Sequence, residues 1–267
     1  MTNWNKLLVG TSLTSALFFS SQARAVDVRL TIRNPSASDS TAFSPAVVAA
    51  HNGSVDLFSS GSPASAGVED VAELGGQSIL PGEATGMQAS AAVTSVFATV
   101  GGFGPGIFVP GSEGSVVLSL DPVNHRYFSF LSMMVPSNDA FIGNDSPTAI
   151  ELFDASGAFV ANDFTLVGSD IWDAGTEVNG LTGALYVVGQ DGMLSPEEGS
   201  VVHAADLDTI FDFYVGESTP AGAMFNTVPT GSTPIAEFSF SIVPEPATWL
   251  LATIGLFAFA NMRRRSA

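Results

Sequence analysis

The amino-acid sequence predicts an all-β fold, an antiparallel β-sandwich with one short helix, on three observations. Short runs of alternating apolar and polar residues recur along the chain. Clusters of Gly, Pro, Asn, Asp and Ser separate them, in a composition holding 27 Gly and 15 Pro. The alternation of strand with long amphipathic helix that would announce a parallel sheet is missing. With 46% hydrophobic residues and 20 Phe in 267 positions, the chain carries enough apolar surface to bury a sizeable core.

In chain order, Val26 to Arg33 alternates with period two, the pattern of a half-buried strand. Further strands are expected at Ala46 to Ala50, Ala92 to Thr99, Ser115 to Leu120, Tyr127 to Met134, Ala149 to Phe153, Ala158 to Leu166, Leu185 to Val188, Thr209 to Val215 and Ile235 to Ile242. Asp154-Ala155-Ser156-Gly157 reads as a hairpin turn between Phe153 and Ala158. The one helix expected is Ala64 to Leu74, capped by Ser65, with Val68, Val71 and Ala72 on its buried face and Glu69, Asp70 and Glu73 on a solvated one. The stretch 217–233, rich in Gly, Pro, Ser and Thr, reads as a long loop before the last strand, with a linker as the alternative.

Charge narrows function. Lys and Arg number 8 against 26 Asp and Glu, for a net charge of −18. Between Val26 and Val243 only Arg29, Arg33 and Arg126 are basic, while all the acids except Glu245 lie there, so the body is more acidic than the whole chain. Such a surface attracts cations and offers nothing to neutralise phosphates, which excludes nucleic acid as a partner. The lack of cysteine removes disulfides, thiolate metal sites and Cys nucleophiles. No Gly-x-Ser-x-Gly elbow and no HExxH arrangement occurs, and the lone Lys6 precedes the body, so no P-loop can form there. The chain is read as a non-enzyme, although its many acids leave a glycosidase pair open without singling one out.

The two ends read as addresses. Residues 1–25 have Lys6 in a polar start, an apolar run from Leu7 to Phe19, and small residues at Ala23 and Ala25. This is a secretory signal peptide cleaved between Ala25 and Val26, for export through the Sec pathway; a buried N-terminal helix is the alternative. At the other end, Val243-Pro244-Glu245-Pro246 precedes an apolar run, Trp249 to Ala260, and then Arg263-Arg264-Arg265. As a helix that run would be about 18 Å long, against a hydrocarbon core of roughly 30 Å. The arginines hold it cytoplasmic side in, and the prolines leave an extended, accessible segment before it. Residues 243–267 resemble the PEP-CTERM sorting signal. That resemblance implies an exosortase-type processing protease, transient membrane contact through 249–260, and delivery to the cell surface or extracellular matrix of a Gram-negative bacterium. Retention of the segment as a plain membrane anchor is the alternative.

Within the body (26–242), two acidic motifs stand out. Met133-Met134-Val135-Pro136-Ser137-Asn138-Asp139-Ala140-Phe141-Ile142-Gly143 places Asp139 at the mouth of a strand, and Trp172-Asp173-Ala174-Gly175-Thr176-Glu177 sets two acids four apart across a turn-permitting glycine. Carboxylates on adjacent loops repel unless a cation joins them. Calcium suits oxygen-only donors, whereas zinc and copper want thiols or clustered imidazoles. An Asx turn at Asp139 and a solvated acid at Asp173 are the plainer readings of the same residues.

These motifs, with FSPAVVAAHNGSVDLFSSGSPASAGVEDVAELG upstream, resemble a spondin domain over roughly Phe43 to Val215. The resemblance implies a β-sandwich related to C2 domains, with Ca2+ held by Asp139, Asp173 and Glu177. Glu177 departs from the family's usual Asp by one methylene. His51 matches a family position and reads as a structural hydrogen-bonding residue before a ligand. The expected function is a calcium-binding adhesion or matrix component. The alternatives are a calcium-dependent carbohydrate-binding module for exopolysaccharide, with Trp172 as its best aromatic, and a hydrolase of matrix polymers.

Overall fold

The structure, a computed structural model, describes residues 25–244 of the chain. Residues 1–24, Glu245, Pro246, the apolar run Trp249 to Ala260 and Arg263 to Arg265 therefore lie outside the described residues, and with them most of the two proposed targeting segments. Among the described residues no helix is long and apolar enough to cross a membrane.

Two antiparallel sheets face each other. The smaller contains β1 (Val26–Arg33), β5 (Glu113–Leu120), β9 (Phe164–Val167) and β12 (Pro234–Ile242), in the order β5-β1-β12-β9. The alternation in β1 works as expected: Val28, Leu30 and Ile32 are buried, while Asp27, Arg29 and Arg33 face out. The larger sheet runs β11-β10-β7-β6-β3-β4, with β4 (Ala92–Val96), β3 (Ala46–His51), β6 (Tyr127–Val135), β7 (Ala140–Gly143), β10 (Ile171–Asp173) and β11 (His203–Ala204). Short β2 (Ala42–Phe43) and β8 (Ile150–Glu151) pair with opposite ends of β6.

Every residue of β3 and nearly all of β6 is buried, because the larger sheet is covered on both faces. Its inner residues, among them Val48, Ala50, Phe128, Phe130 and Ile142, pack with Leu30, Ile32 and Phe238 of the opposing sheet. Its outer residues Val47, Ala49, Leu131 and Phe141 pack under two helices, α1 (Ala66–Leu74) and α2 (Leu80–Met87). α1 has the expected Ser65 cap, whose side chain accepts from the Val68 amide, and Val68, Val71 and Ala72 are buried beneath it. A left-handed Gly75 ends it.

The second helix has no counterpart in the sequence reading, since Pro81, Gly82 and Gly86 disguise it. Leu80 and Ala84, one turn apart, bury its inner face. Glu83 reaches back to α1, accepting from the Gly67 amide (2.8 Å) and the Ser65 hydroxyl (2.6 Å). A Cβ at Gly67 would stand 2.8 Å from Leu80 Cα, so that glycine sets the helix spacing.

Three expected strands differ. Thr209 to Val215 is instead a helical turn, α3 (Leu207–Ile210), followed by a 3-10 turn at Asp212–Tyr214. The Asp206 side chain caps it by accepting from the Asp208 amide, and the buried Ile210 and Tyr214 lie four apart on one side. Leu185 to Val188 keeps one bridge, Leu185 with Ser137, because positive-φ backbone at Gly183, Tyr186 and Gly189 breaks any ladder. Ala158 to Leu166 forms the return of the expected Asp154 hairpin and becomes a strand only from Phe164. The stretch 217–233 is a packed loop: Phe225 is buried, and the amides of Asn226 and Thr227 donate to Asp39 O.

Candidate metal centre

The pairing of β7 with β10 brings the two acidic motifs together. Asp173, the last residue of β10, lies opposite Ala140, the first of β7, and the Ala174 amide donates to Asp139 O at 3.2 Å. Beyond Asp173 the chain turns sharply at Gly175, with φ +67°, where a Cβ would meet Val201 O at 2.7 Å. The turn folds two amides onto one carboxylate oxygen. Asp139 Oδ2 accepts from Thr176 N (2.8 Å), Glu177 N (3.0 Å) and Thr176 Oγ1 (3.2 Å).

Asp139 is fully buried, and its other oxygen, Oδ1, has no hydrogen-bond partner. Buried carboxylate oxygens are rarely left so. Asp173, 2% exposed, accepts from Gly175 N at 2.8 Å through Oδ1 and from Asn179 Nδ2 at 2.7 Å through Oδ2, with His203 Nε2 of β11 at 3.9 Å. Each of these oxygens keeps further lone-pair capacity. Glu177 is buried on a strand-like contact with Glu197. Asn179 Oδ1 is a second buried oxygen without a partner.

The electrostatics follow from the burial of like charges. Burial, then the charge of Asp173, pushes the Asp139 carboxyl up to about 6 despite its three donors. Burial pushes Glu177 up to about 7, with Glu73, Asp139 and Glu197 adding to the rise. The same holds for Glu73, raised to about 7 by burial, eased by the Thr176 side chain, and raised further by Glu69, Glu197 and Asp139. Tyr214 is also pushed up, by burial first and then by the nearby acids.

Glu73 departs from expectation. Its carboxylate does not sit on a solvated face; Oε1 is buried without a partner and within the field of Asp139. Asp70 of the same helix likewise has a buried oxygen, Oδ2, without a partner, and Glu69, Asp70 and Glu73 are all half-buried where a solvated face was expected. Asn138 is a second residue the motif reading left without a role. Its Nδ2 donates to Thr182 O (3.0 Å) and Ser195 Oγ (2.6 Å), and its Oδ1 accepts from Gly180 N (3.0 Å) and Tyr214 OH (2.9 Å). It thereby ties the loops behind Asp139 to the 3-10 turn.

His51 is placed among hydrogen bonds away from these acids. Its Nδ1 accepts from Gly53 N, which leaves the proton on Nε2 to donate to Ser129 Oγ, each at 3.0 Å. Burial, with His125 nearby, lowers it to about 4. Trp172 packs its ring on Phe58 and donates Nε1–H to Gly143 O at 3.2 Å, so most of its surface serves the core under the helices.

Among the described residues, no group of three or more His, Cys, Asp or Glu is gathered closely enough to hold a metal ion. The donors around Asp139 are all oxygen: the orphaned atoms of Asp139 and Asn179 are carboxylate and amide oxygens, and the nearby acids raise one another.

A family model described as Spondin_N matches residues 33–186, more than half of the chain. The chain belongs to the Spondin_N family. Asp139, Asp173 and Glu177 all fall inside the matched segment, which starts and ends earlier than the motif likeness drawn from the sequence. A second model, described as PEP-CTERM protein-sorting motif, matches residues 243–265. This Spondin_N protein thus carries a signal for export and for exosortase-type sorting to the cell envelope or extracellular space. No curated protein matches the chain.

Proposed function

We propose that this Spondin_N protein binds calcium through Asp139, Asp173 and Glu177 and serves outside the cell as an adhesion or matrix component. The observation that carries the reading is Asp139 Oδ1, a fully buried carboxylate oxygen without a partner, set beside two further buried acids. Such a group is costly unless a cation or a proton answers it. Calcium would supply the missing positive charge and accept the irregular, partly bidentate geometry that Glu177's extra methylene brings. The turn at Gly175 sets the Thr176 and Glu177 amides on Asp139 Oδ2 and so ties the two acidic motifs to each other. The role is binding and structural, with no catalysis. Export through the Sec pathway, cleavage between Ala25 and Val26, and delivery to the surface or exopolysaccharide matrix of a Gram-negative bacterium complete the proposal.

Titrating CaCl2 into the purified protein by calorimetry tests it. One calcium per chain is expected, at the roughly 10⁻⁴–10⁻³ M dissociation constant common among extracellular modules. Asp139→Asn should remove that binding. Absence of binding to the folded wild type overturns the reading.

A further inference from the structure

The sequence holds two Asn-Gly pairs, Asn52-Gly53 and Asn179-Gly180. In such a pair the glycine's backbone nitrogen can attack the asparagine side-chain carbon, because no Cβ hinders the approach. The fold treats the two pairs differently. Asn52 follows His51, the last residue of β3, and is exposed. Its Oδ1 accepts from Ser54 N at 3.1 Å and from Ser54 Oγ at 2.8 Å, an Asx turn that folds the side chain along its own backbone past Gly53. The Gly53 N–H donates to His51 Nδ1 at 3.0 Å, while the far side of that ring is engaged by Ser129 Oγ. Asn52 N donates to Gln88 Oε1 at 2.8 Å, and Gln88 Nε2 is held in turn by Ser90 Oγ and Asn124 O, so the end of α2 fixes the loop. Asn179 has the opposite arrangement. Its Nδ2 is held by Asp173 Oδ2 at 2.7 Å, its Oδ1 has no donor, and Gly180 N donates to Asn138 Oδ1, an amide oxygen that takes up no proton.

We infer that Asn52-Gly53 is a modification site at which the chain converts its own Asn52 into aspartate and isoaspartate. Gly53 N attacks Asn52 Cγ as its proton passes to His51 Nδ1, and the Ser54 amide and hydroxyl bond the oxyanion forming on Oδ1. The proton then goes to Asn52 Nδ2, the Cγ–Nδ2 bond breaks, and ammonia leaves a cyclic succinimide behind. Water opens that ring. Addition at Cγ gives aspartate, addition at the Asn52 main-chain carbonyl gives isoaspartate, and either returns a hydrogen to Gly53 N. Burial, with His125 nearby, holds the His51 imidazole neutral at physiological pH, so its Nδ1 is free to accept. Each conversion adds a negative charge, and isoaspartate lengthens the backbone by a methylene where Asn52 N meets Gln88. The converted fraction therefore records the age of an exported chain.

The test incubates the purified folded protein at neutral pH and follows both pairs by peptide mapping in the mass spectrometer, with a parallel sample unfolded in urea. Asn52 should convert faster in the folded chain than in urea, whereas Asn179 should convert in urea and stay intact when folded. His51→Asn keeps an acceptor for Gly53 N without a base, and should slow conversion at Asn52 by about a hundredfold, the lower end of what a general base supplies. Ser54→Ala, at an exposed position, should slow it by about fivefold, the worth of one hydrogen bond. This second variant decides the matter if replacing the buried His51 prevents folding. Conversion at Asn52 no faster than in urea, equal conversion at Asn179, or an unchanged rate in either folded variant overturns the inference.

Discussion

The Thr176 amide donates to Asp139 Oδ2 at 2.8 Å, joining two motifs 37 residues apart and fixing the tight turn of one onto the strand mouth of the other. The bond organises the acids before any ion arrives. It leaves Asp139 with one satisfied and one unsatisfied oxygen.

The turn at Gly175 tolerates no side chain without strain. Gly175→Ala forces a side chain into the left-handed region, at about 1–3 kcal/mol for a strained non-glycine residue, and brings a Cβ to 2.7 Å from Val201 O. Urea unfolding should show a loss at or above the top of that range. The calcium response should fall with it, because the Thr176 and Glu177 amides no longer reach Asp139.

In EDTA, stability should depend on pH in a direction unusual for an acidic protein. Asp139, held near 6, and Glu73 and Glu177, each near 7, keep protons in the folded state that the unfolded chain gives up from about pH 4. Their contribution is fully present below the unfolded values and is lost as pH rises through 6 to 7. His51 acts the other way: lowered to about 4, it contributes above pH 6.5 and loses that contribution as pH falls towards 4. With three groups against one, melting temperature in EDTA should decline between pH 5 and 7.5. Saturating calcium should flatten or reverse the slope, which thermal melts across that range will show.

Much of this architecture was legible because the long strands are apolar: β1, β5 and β12 alternate with one buried face, β3 and β6 are apolar on both faces, and Ser65 with Val68 and Val71 announces α1. The Asp206 turn was hidden because Ile210, Phe211, Phe213 and Tyr214 favour strands by composition, while the deciding cap is a single side chain. α2 was hidden because tertiary burial of Leu80 and Ala84 overrides Pro and Gly. The acids of the candidate site stood out by motif and spacing. Glu73 and Asn138 did not, since their importance lies in contacts made across the fold by segments distant in sequence.

Processing is checked by intact mass. Protein from the extracellular fraction of its native host should begin near Val26 and end close to Pro246, having lost Arg263, Arg264 and Arg265. Recovery of those arginines on secreted protein would contradict removal of the sorting segment.

Thermal melts of wild type and Asp173→Asn in EDTA, calcium and magnesium test the central claim most directly. Calcium at 100 times its dissociation constant should stabilise wild type by roughly 2.7 kcal/mol, a rise of several degrees. Magnesium should do less, since it holds its water and demands octahedral geometry. Asp173→Asn should lose most of the calcium shift while staying folded in EDTA. Equal shifts by both ions in both proteins would mean that the cations merely screen an acidic surface, and would contradict a calcium site at Asp139, Asp173 and Glu177.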